Sequence, residues 1–192
     1  MCSTAVRLFL AINPEPGVRR ALIDETQSLR EAGPELNWMD ESRLHLTLKF
    51  LGEQPDAVVP SLRAAVDMVA QRHRAFSMQI TGIGAFPNFR RARVVWMGIH
   101  REPRLELLHH DIEVACQDLG FEVEGRSFRP HLTLARVREG TPEATLRALS
   151  RAGKGVTYDG ETTVNSVDLM QSHPGRAGAR YECLHAAQLR PA

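Results

Sequence analysis

A six-residue pattern that occurs twice constrains the fold more than any other feature of the sequence. Residues 43–48 read RLHLTL and residues 129–134 read RPHLTL, so His45 and His131 lie 86 positions apart in a chain of 192 residues. The sequence predicts a strand and at least one helix before each copy and another helix after it. We therefore expect two related lobes of strands and helices, in a duplicated α+β architecture.

Alternation within each copy predicts which side chains lie together. Successive side chains of a strand point to opposite faces, so residues two apart share a face. His45 then lies beside Thr47 and His131 lies beside Thr133, while the leucines between them point into apolar packing. If the lobes face each other, two imidazoles and two hydroxyls converge on one cleft.

This set of side chains suits the hydrolysis of a phosphodiester. One imidazole can act as a base on water, the other can act as an acid on the leaving oxygen, and the hydroxyls can hold the phosphoryl oxygens. A single histidine with a nearby threonine on a strand is a common pattern without function. Its repetition among leucines, in the same six-residue context, favours a functional pair.

The two motifs resemble those of the two-histidine phosphoesterases, and specifically the bacterial and archaeal RNA 2′,3′-cyclic phosphodiesterases, also called 2′-5′ RNA ligase-like proteins. The resemblance extends over nearly the whole chain and includes residues 7–12, 45–52, 86–87 and 129–136. It implies one bilobal phosphoesterase domain over residues 1–192, with two antiparallel sheets facing a central cleft and helices on the outside.

The resemblance also implies a reaction and a role for each site residue. A terminal 2′,3′-cyclic phosphate is opened to a 2′-phosphomonoester, with His45 as proton donor and His131 as proton acceptor. Thr47 and Thr133 hold the phosphate, and Arg136 lies beside the nucleotide or the phosphate. Arg136 has the parity of the buried leucines, so it reaches the cleft only if the strand ends or bulges there.

Three other functions use the same residues. The reaction run backwards would join a cyclic phosphate to a 5′-hydroxyl as a 2′-5′ RNA ligase, and related family members open small cyclic nucleotides. A non-catalytic module would bind RNA ends without converting them. Because two imidazoles supply the acid and the base, and no metal-ligand cluster is visible, we expect activity without a metal or other cofactor.

Composition limits the partners. The 24 basic and 23 acidic residues give a formal charge of +1, so contact with RNA ends must be local. Cys2, Cys116 and Cys183 show no ligand spacing, which favours a reduced, cytoplasmic setting. Residues 6–12 form too short an apolar run for a signal peptide and predict a first strand, and no window predicts a membrane span. We expect a monomer.

Four further features are open to two interpretations or have no assigned role. Lys49 shares the parity of His45, so it could neutralise phosphate or lie at the strand end on the rim. The loop of residues 86–93, with two phenylalanines and three arginines, could stack a base and contact a phosphate, or simply connect a hairpin. Arg43 replaces a small polar residue usual in the family. Residues 109–111 read HHD, but adjacent helix positions diverge, which predicts a solvated face rather than a metal site.

The remaining patterns predict the secondary structure. Helices are expected at residues 17–31, 56–72 and 103–119 and after Thr141, and strands at residues 6–12, 44–51, 76–83, 94–99, 121–123, 130–137, 164–170 and 181–189.

Overall fold

The structure is a computed structural model that describes residues 5–175 and 178–192. Its helices are α1 (Pro16–Glu25), α2 (Gln27–Ala32), α3 (Val59–Ala70), α4 (Pro103–Asp118) and α5 (Glu143–Gly155). Its strands are β1 (Ala5–Ile12), β2 (Asn37–Trp38), β3 (Leu46–Pro55), β4 (Phe76–Phe86), β5 (Val94–Ile99), β6 (His131–Arg136), β7 (Asp159–Val164), β8 (Ser166–His173) and β9 (Arg180–Gln188).

The strands form a curled antiparallel sheet in the order β7-β4-β5-β6-β3-β1-β8-β9, with β2 added beside β6. The two motif strands meet at its centre, where β3 and β6 are joined through the single register pair Leu46 and Leu132. This narrow joint divides the sheet into a half that carries His45 and a half that carries His131. The predicted α+β class and the predicted antiparallel sheets are confirmed, with the addition that the two sheets join at the motifs.

The duplication is visible in the order of the elements. A shift of 86 residues places β1 on β5, α1 on α4, β3 on β6, α3 on α5 and β4 on β8. The equivalent strands β4 and β8 each pair in the half of the other repeat, since β4 lies beside β5 and β8 lies beside β1. The two repeats therefore exchange a strand, which ties the halves together on both sides of the central joint.

Helices cover the face of the sheet to which the motif leucines point. Leu46, Leu48, Leu132 and Leu134 are all buried in one hydrophobic core. Helices α3 and α4 pack on the half that carries His45, whereas α1 and α5 pack on the other half and α2 packs on α5. Burial of each leucine contributes about 1.5–3 kcal/mol. The core thereby fixes which face of β3 and β6 is left for His45 and His131.

Three predicted elements differ from the structure. The strand expected at residues 121–123 is wrong, because residues 121–130 have no regular secondary structure. The strand expected at residues 164–170 is two strands, since β7 ends at Val164 and β8 begins at Ser166. The first helix is divided at Thr26, whose hydroxyl and backbone N–H both donate to the carbonyl of Leu22. Among the described residues, no helix is both long and apolar enough to cross a membrane.

Candidate active site

Each motif histidine is oriented by a backbone carbonyl two residues before it. Nδ1 of His45 lies 2.8 Å from the carbonyl oxygen of Arg43, and Nδ1 of His131 lies 2.7 Å from that of Arg129. A carbonyl can only accept, so Nδ1 of each ring carries the proton and donates it. Nε2 of each neutral ring therefore keeps a free lone pair, and it is the ring atom that can exchange a proton with a ligand.

His45 lies in an aromatic enclosure. Its ring centroid is 5.0 Å from that of Phe9 and 5.1 Å from that of Tyr181, which meets it edge-on. Burial lowers the pKa of His45 from 6.5 to about 4; the bond to the Arg43 carbonyl opposes this, and the charges of Arg136 and His131 lower it further. The structure thus brings His131 and Arg136 within electrostatic reach of His45.

His131 lies in a second enclosure made by other strands. Its ring centroid is 5.0 Å from that of Phe86 and 6.3 Å from that of Trp96. Burial lowers the pKa of His131, and the bond to the Arg129 carbonyl opposes the effect. Burial therefore favours the neutral form of both imidazoles in the unliganded protein.

A cleft of about 360 Å³ borders His131 and is lined by Phe86, Trp96, Phe128 and Arg129. The Trp96 ring lies against Gly84, where an added Cβ would stand 2.1 Å from a ring atom, so only glycine admits the indole. The indole Nε1 is buried and has no hydrogen bond partner among the described residues. An unpaired buried donor beside a cleft is suited to a polar atom of a ligand.

A bulge occurs in each motif strand just after the threonine. Thr47 is in register with Ala11 but Lys49 with Leu10, and Thr133 is in register with Trp96 but Ala135 with Val95. One extra residue reverses the alternation, so the residues that follow change face. Both threonines stay half-buried on the face of the histidines.

The bulge that Arg136 requires is present, and it leaves the arginine exposed on the face of the histidines. Its positive charge acts on His45. Phe50, the residue equivalent to Arg136 under the 86-residue shift, is 69% exposed, and its ring centroid is 6.3 Å from that of Phe9. Sequence reasoning missed Phe50; comparison with Arg136 across the repeat is the signal that could have found it.

Both interpretations of Lys49 are wrong, because the bulge turns its side chain away from the cleft. Lys49 is only 5% exposed. Its Nζ donates to Glu113 Oε2 at 2.7 Å and to the carbonyl of Glu122 at 2.8 Å. Lys49 therefore belongs to the interface between β3, α4 and the segment of residues 121–130.

The loop of residues 86–93 divides into parts with different surroundings. Phe86 contacts His131, whereas Phe89 packs inward against Gly153. The side-chain oxygen of Asn88 accepts hydrogen bonds from the backbone N–H groups of Arg90 and Arg91. Arg90 lies on a groove of about 260 Å³ that is also lined by Arg147 and Arg151 of α5. Neither the base-stacking nor the plain-hairpin interpretation describes the whole loop.

The side chain of Arg43 is engaged within the protein. Its Nε donates to Asp40 Oδ2 at 2.8 Å and its guanidinium also donates to the carbonyl of Trp38 at 2.8 Å. This engagement holds the backbone whose carbonyl orients His45.

Residues 109–111 point to different surroundings. His109 stacks on Phe128 with ring centroids 3.8 Å apart, so the predicted solvated face is wrong for this residue. His110 is exposed, and Asp111 binds His73 at 2.9 Å. In the described ranges, no group of three or more histidine, cysteine, aspartate or glutamate side chains is placed to hold a metal ion.

Known proteins are similar to this chain in sequence and in fold. An RNA 2′,3′-cyclic phosphodiesterase of Methanothermobacter thermautotrophicus is 29% identical over 96% of this chain and 99% of its own. One of Geobacillus stearothermophilus is 33% identical over 75% of this chain but 47% of its own, so the chain spans about half the length of that relative. The crystal structure of E. coli LigT complexed with 3′-AMP has a TM-score of 0.75 and 25% identity, covering 97% of this chain and 99% of LigT. The model of the 2′-5′ RNA ligase superfamily matches residues 14–176, and the chain belongs to that family, as its motifs predicted.

Proposed function

We propose that the protein hydrolyses the terminal 2′,3′-cyclic phosphate of RNA to a 2′-phosphomonoester by metal-independent acid–base catalysis. The observation that carries the proposal is the matched orientation of His45 and His131. Each ring donates through Nδ1 to a carbonyl, at 2.8 and 2.7 Å, and leaves Nε2 for proton exchange. The names of the relatives from Methanothermobacter and Geobacillus support the same substrate.

Each site residue has one role in this reaction. His131 Nε2 takes a proton from water as the water oxygen bonds to phosphorus. The bond from phosphorus to the 3′ oxygen breaks, and His45 Nε2 gives that oxygen a proton. Thr47 and Thr133 donate to the phosphoryl oxygens, and the positive charge of Arg136 balances the negative charge of those oxygens. Each turnover leaves the proton on the opposite imidazole, and exchange with water restores the starting state.

The low pKa of His45 means that substrate binding completes the site. In the unliganded protein, burial and the charge of Arg136 keep His45 neutral. A phosphodiester anion between the histidines offsets the charge of Arg136 and raises the pKa of His45. We therefore expect one proton to be taken up when an anionic ligand binds, which readies the donor only in the presence of substrate.

Two surfaces of the site are suited to the nucleotide. The exposed ring of Phe50 beside Phe9 offers a face for stacking, and so does the cleft that contains Phe86 and Trp96. LigT, which shares the fold, has been crystallised with 3′-AMP, which supports a nucleotide as part of the ligand. The groove lined by Arg90, Arg151 and the ion pair of Arg147 with Glu143 keeps a net positive charge and gives a place for the backbone of a longer RNA.

Product analysis on a short RNA with a 2′,3′-cyclic end tests the proposal. We expect conversion to the 2′-phosphate alone, at the same rate with EDTA, and loss of conversion in His131→Ala. Conversion to the 3′-phosphate, or loss of activity with EDTA that one added metal restores, would contradict the mechanism. Protection of the cyclic end without conversion would identify a binding module, and a joined product with a 5′-hydroxyl RNA would identify a ligase.

A further inference from the structure

The segment of residues 121–130 leads into His131 and is held in an unusual way. It has no regular secondary structure, yet it ends on Arg129, whose carbonyl orients His131 at 2.7 Å. A segment without a backbone ladder needs other bonds if its last carbonyl is to have a fixed position. Those bonds come from three buried or half-buried side chains on β3 and α4.

The first part of the segment is attached to a buried ion pair. Lys49 Nζ donates to Glu113 Oε2 at 2.7 Å and to the Glu122 carbonyl at 2.8 Å. The backbone N–H of Glu124 donates to the same Glu113 oxygen at 3.2 Å. The side chains of Lys49 and Glu113 are only 4% and 9% exposed, so water competes little for these bonds.

The second part of the segment is attached to α4 at His109, one helical turn before Glu113. The ring of His109 stacks on Phe128, with centroids 3.8 Å apart and an angle of 10° between the planes. Burial lowers the pKa of His109, and the charge of Glu113 and a hydrogen bond to the backbone of Leu48 oppose the effect. The bulge residues Leu48 and Lys49, on the strand that follows His45, therefore connect through α4 to the segment before His131.

In the other repeat, the segment that leads towards His45 is held by backbone hydrogen bonds. There β2 pairs Asn37 with Arg136 and Trp38 with Ala135, and the N–H of Met39 donates to the Leu134 carbonyl at 2.8 Å. Under the 86-residue shift, Ala135 corresponds to Lys49. Side chains thus replace, before His131, the short strand that leads towards His45.

We propose that Lys49 and Glu113 are positioning residues for His131, acting through the segment of residues 121–130 and the Arg129 carbonyl. Neither residue contacts the substrate. Their effect rests on the proposed role of His131 as the proton acceptor. Loosening the segment lets the His131 ring rotate and exchange its Nδ1 bond with water, which misplaces Nε2 for attack on phosphorus.

The test compares Lys49→Met with Asp111→Asn as a matched control. Asp111 lies on the same helix, two residues from both His109 and Glu113 and so on another side of it, and it bonds to the buried His73 at 2.9 Å. We expect Lys49→Met to lower kcat on the order of 10-fold to 100-fold with little change in KM. In ¹H–¹⁵N spectra, His131 should lose its fixed Nδ1–H tautomer while His45 keeps its own. Asp111→Asn should leave both histidine signals unchanged.

Glu113→Gln, which is nearly isosteric, carries the same test if Lys49→Met does not fold. Folded variants with the His131 tautomer and kcat of the control would overturn the proposal. The spectra need no turnover, so they test the positioning even if the wild-type protein fails to open a cyclic phosphate. Failure of the proposed function and failure of the positioning are therefore distinguishable.

Discussion

The segments that lead into the two histidines occupy equivalent places in the repeat but are held by different bonds. Before His45, the two-residue strand β2 pairs backbone to backbone with β6. Before His131, Lys49 and Glu113 hold an irregular segment through side chains. A backbone ladder forms with almost any side chains, whereas an ion pair needs two particular ones. Duplication therefore preserved the positions of the histidines while allowing their supports to diverge.

The two histidines also differ in their electrostatic surroundings. Burial is the main cause of the lowered pKa of both histidines, but only for His45, whose pKa is about 4, do the nearby charges of Arg136 and His131 lower it further. The two imidazoles therefore have matched geometry in different electrostatic surroundings. The following predictions test whether the difference matters, beginning with the largest effect.

Removal of either imidazole gives the largest expected effect. His45→Ala and His131→Ala should each lower kcat on the order of 10²-fold to 10⁴-fold, because each removes one partner of proton transfer. Rates on a cyclic-ended RNA check this, with circular dichroism as the control for folding. Unchanged turnover in either variant would remove that histidine from the mechanism and end the comparison.

The stability of the protein in acid tests the low pKa of His45. The folded-state pKa of His45, about 4, lies below the unfolded value of 6.5, so the unfolded chain binds the proton more tightly. The free energy of unfolding should therefore fall as the pH drops from about 6.5 to about 4, by up to about 3 kcal/mol from this group.

Urea unfolding at pH 7 and pH 4 measures this loss. We expect His45→Gln, which cannot titrate in this range, to lose less stability between the two pH values than the wild type. Carboxylates titrate in both proteins, so their contribution cancels in the difference. Equal losses in the two proteins would show that His45 titrates normally when folded.

The threonines should have smaller effects than the histidines. Thr47→Ala and Thr133→Ala each remove one donor to a phosphoryl oxygen but leave proton transfer intact, so we expect losses on the order of 10-fold to 100-fold. Serine at either position should restore most of the rate. If serine is as damaging as alanine, the methyl group is the working feature and the hydroxyl is not.

The sequence predicted which motif side chains share a face as far as strict alternation holds. His45, Thr47, His131 and Thr133 share a face because the strand period is two residues between each pair. The prediction for Lys49 failed because a bulge follows Thr47, and the Leu48 position carries no glycine that would mark it. The equivalent bulge in β6 is the one that Arg136 needed in order to face the cleft. Only the 86-residue repeat connects the bulge in β6 with the bulge in β3.

The irregular segment before His131 could not be predicted from local pattern. Phe121 and Val123 favour a strand, and under the 86-residue shift Val123 and Glu124 correspond to Asn37 and Trp38, which do form β2. Lys49 precedes Glu113 by 64 positions, and their contact supplies the bonds that a strand partner would otherwise supply. A contact of that sequence separation leaves no periodic signal, so the local preference was overridden by packing.

The assignment of opposite roles to His45 and His131 is tested most directly with a cyclic substrate whose bridging 3′ oxygen is replaced by sulfur. A thiolate leaves without a proton, so the proton donor becomes dispensable. His45→Ala should regain much of its lost rate on this substrate, while His131→Ala stays slow because water still needs a base. Rescue of His131→Ala alone would reverse the roles, and rescue of neither variant would show that both imidazoles act by binding the phosphate.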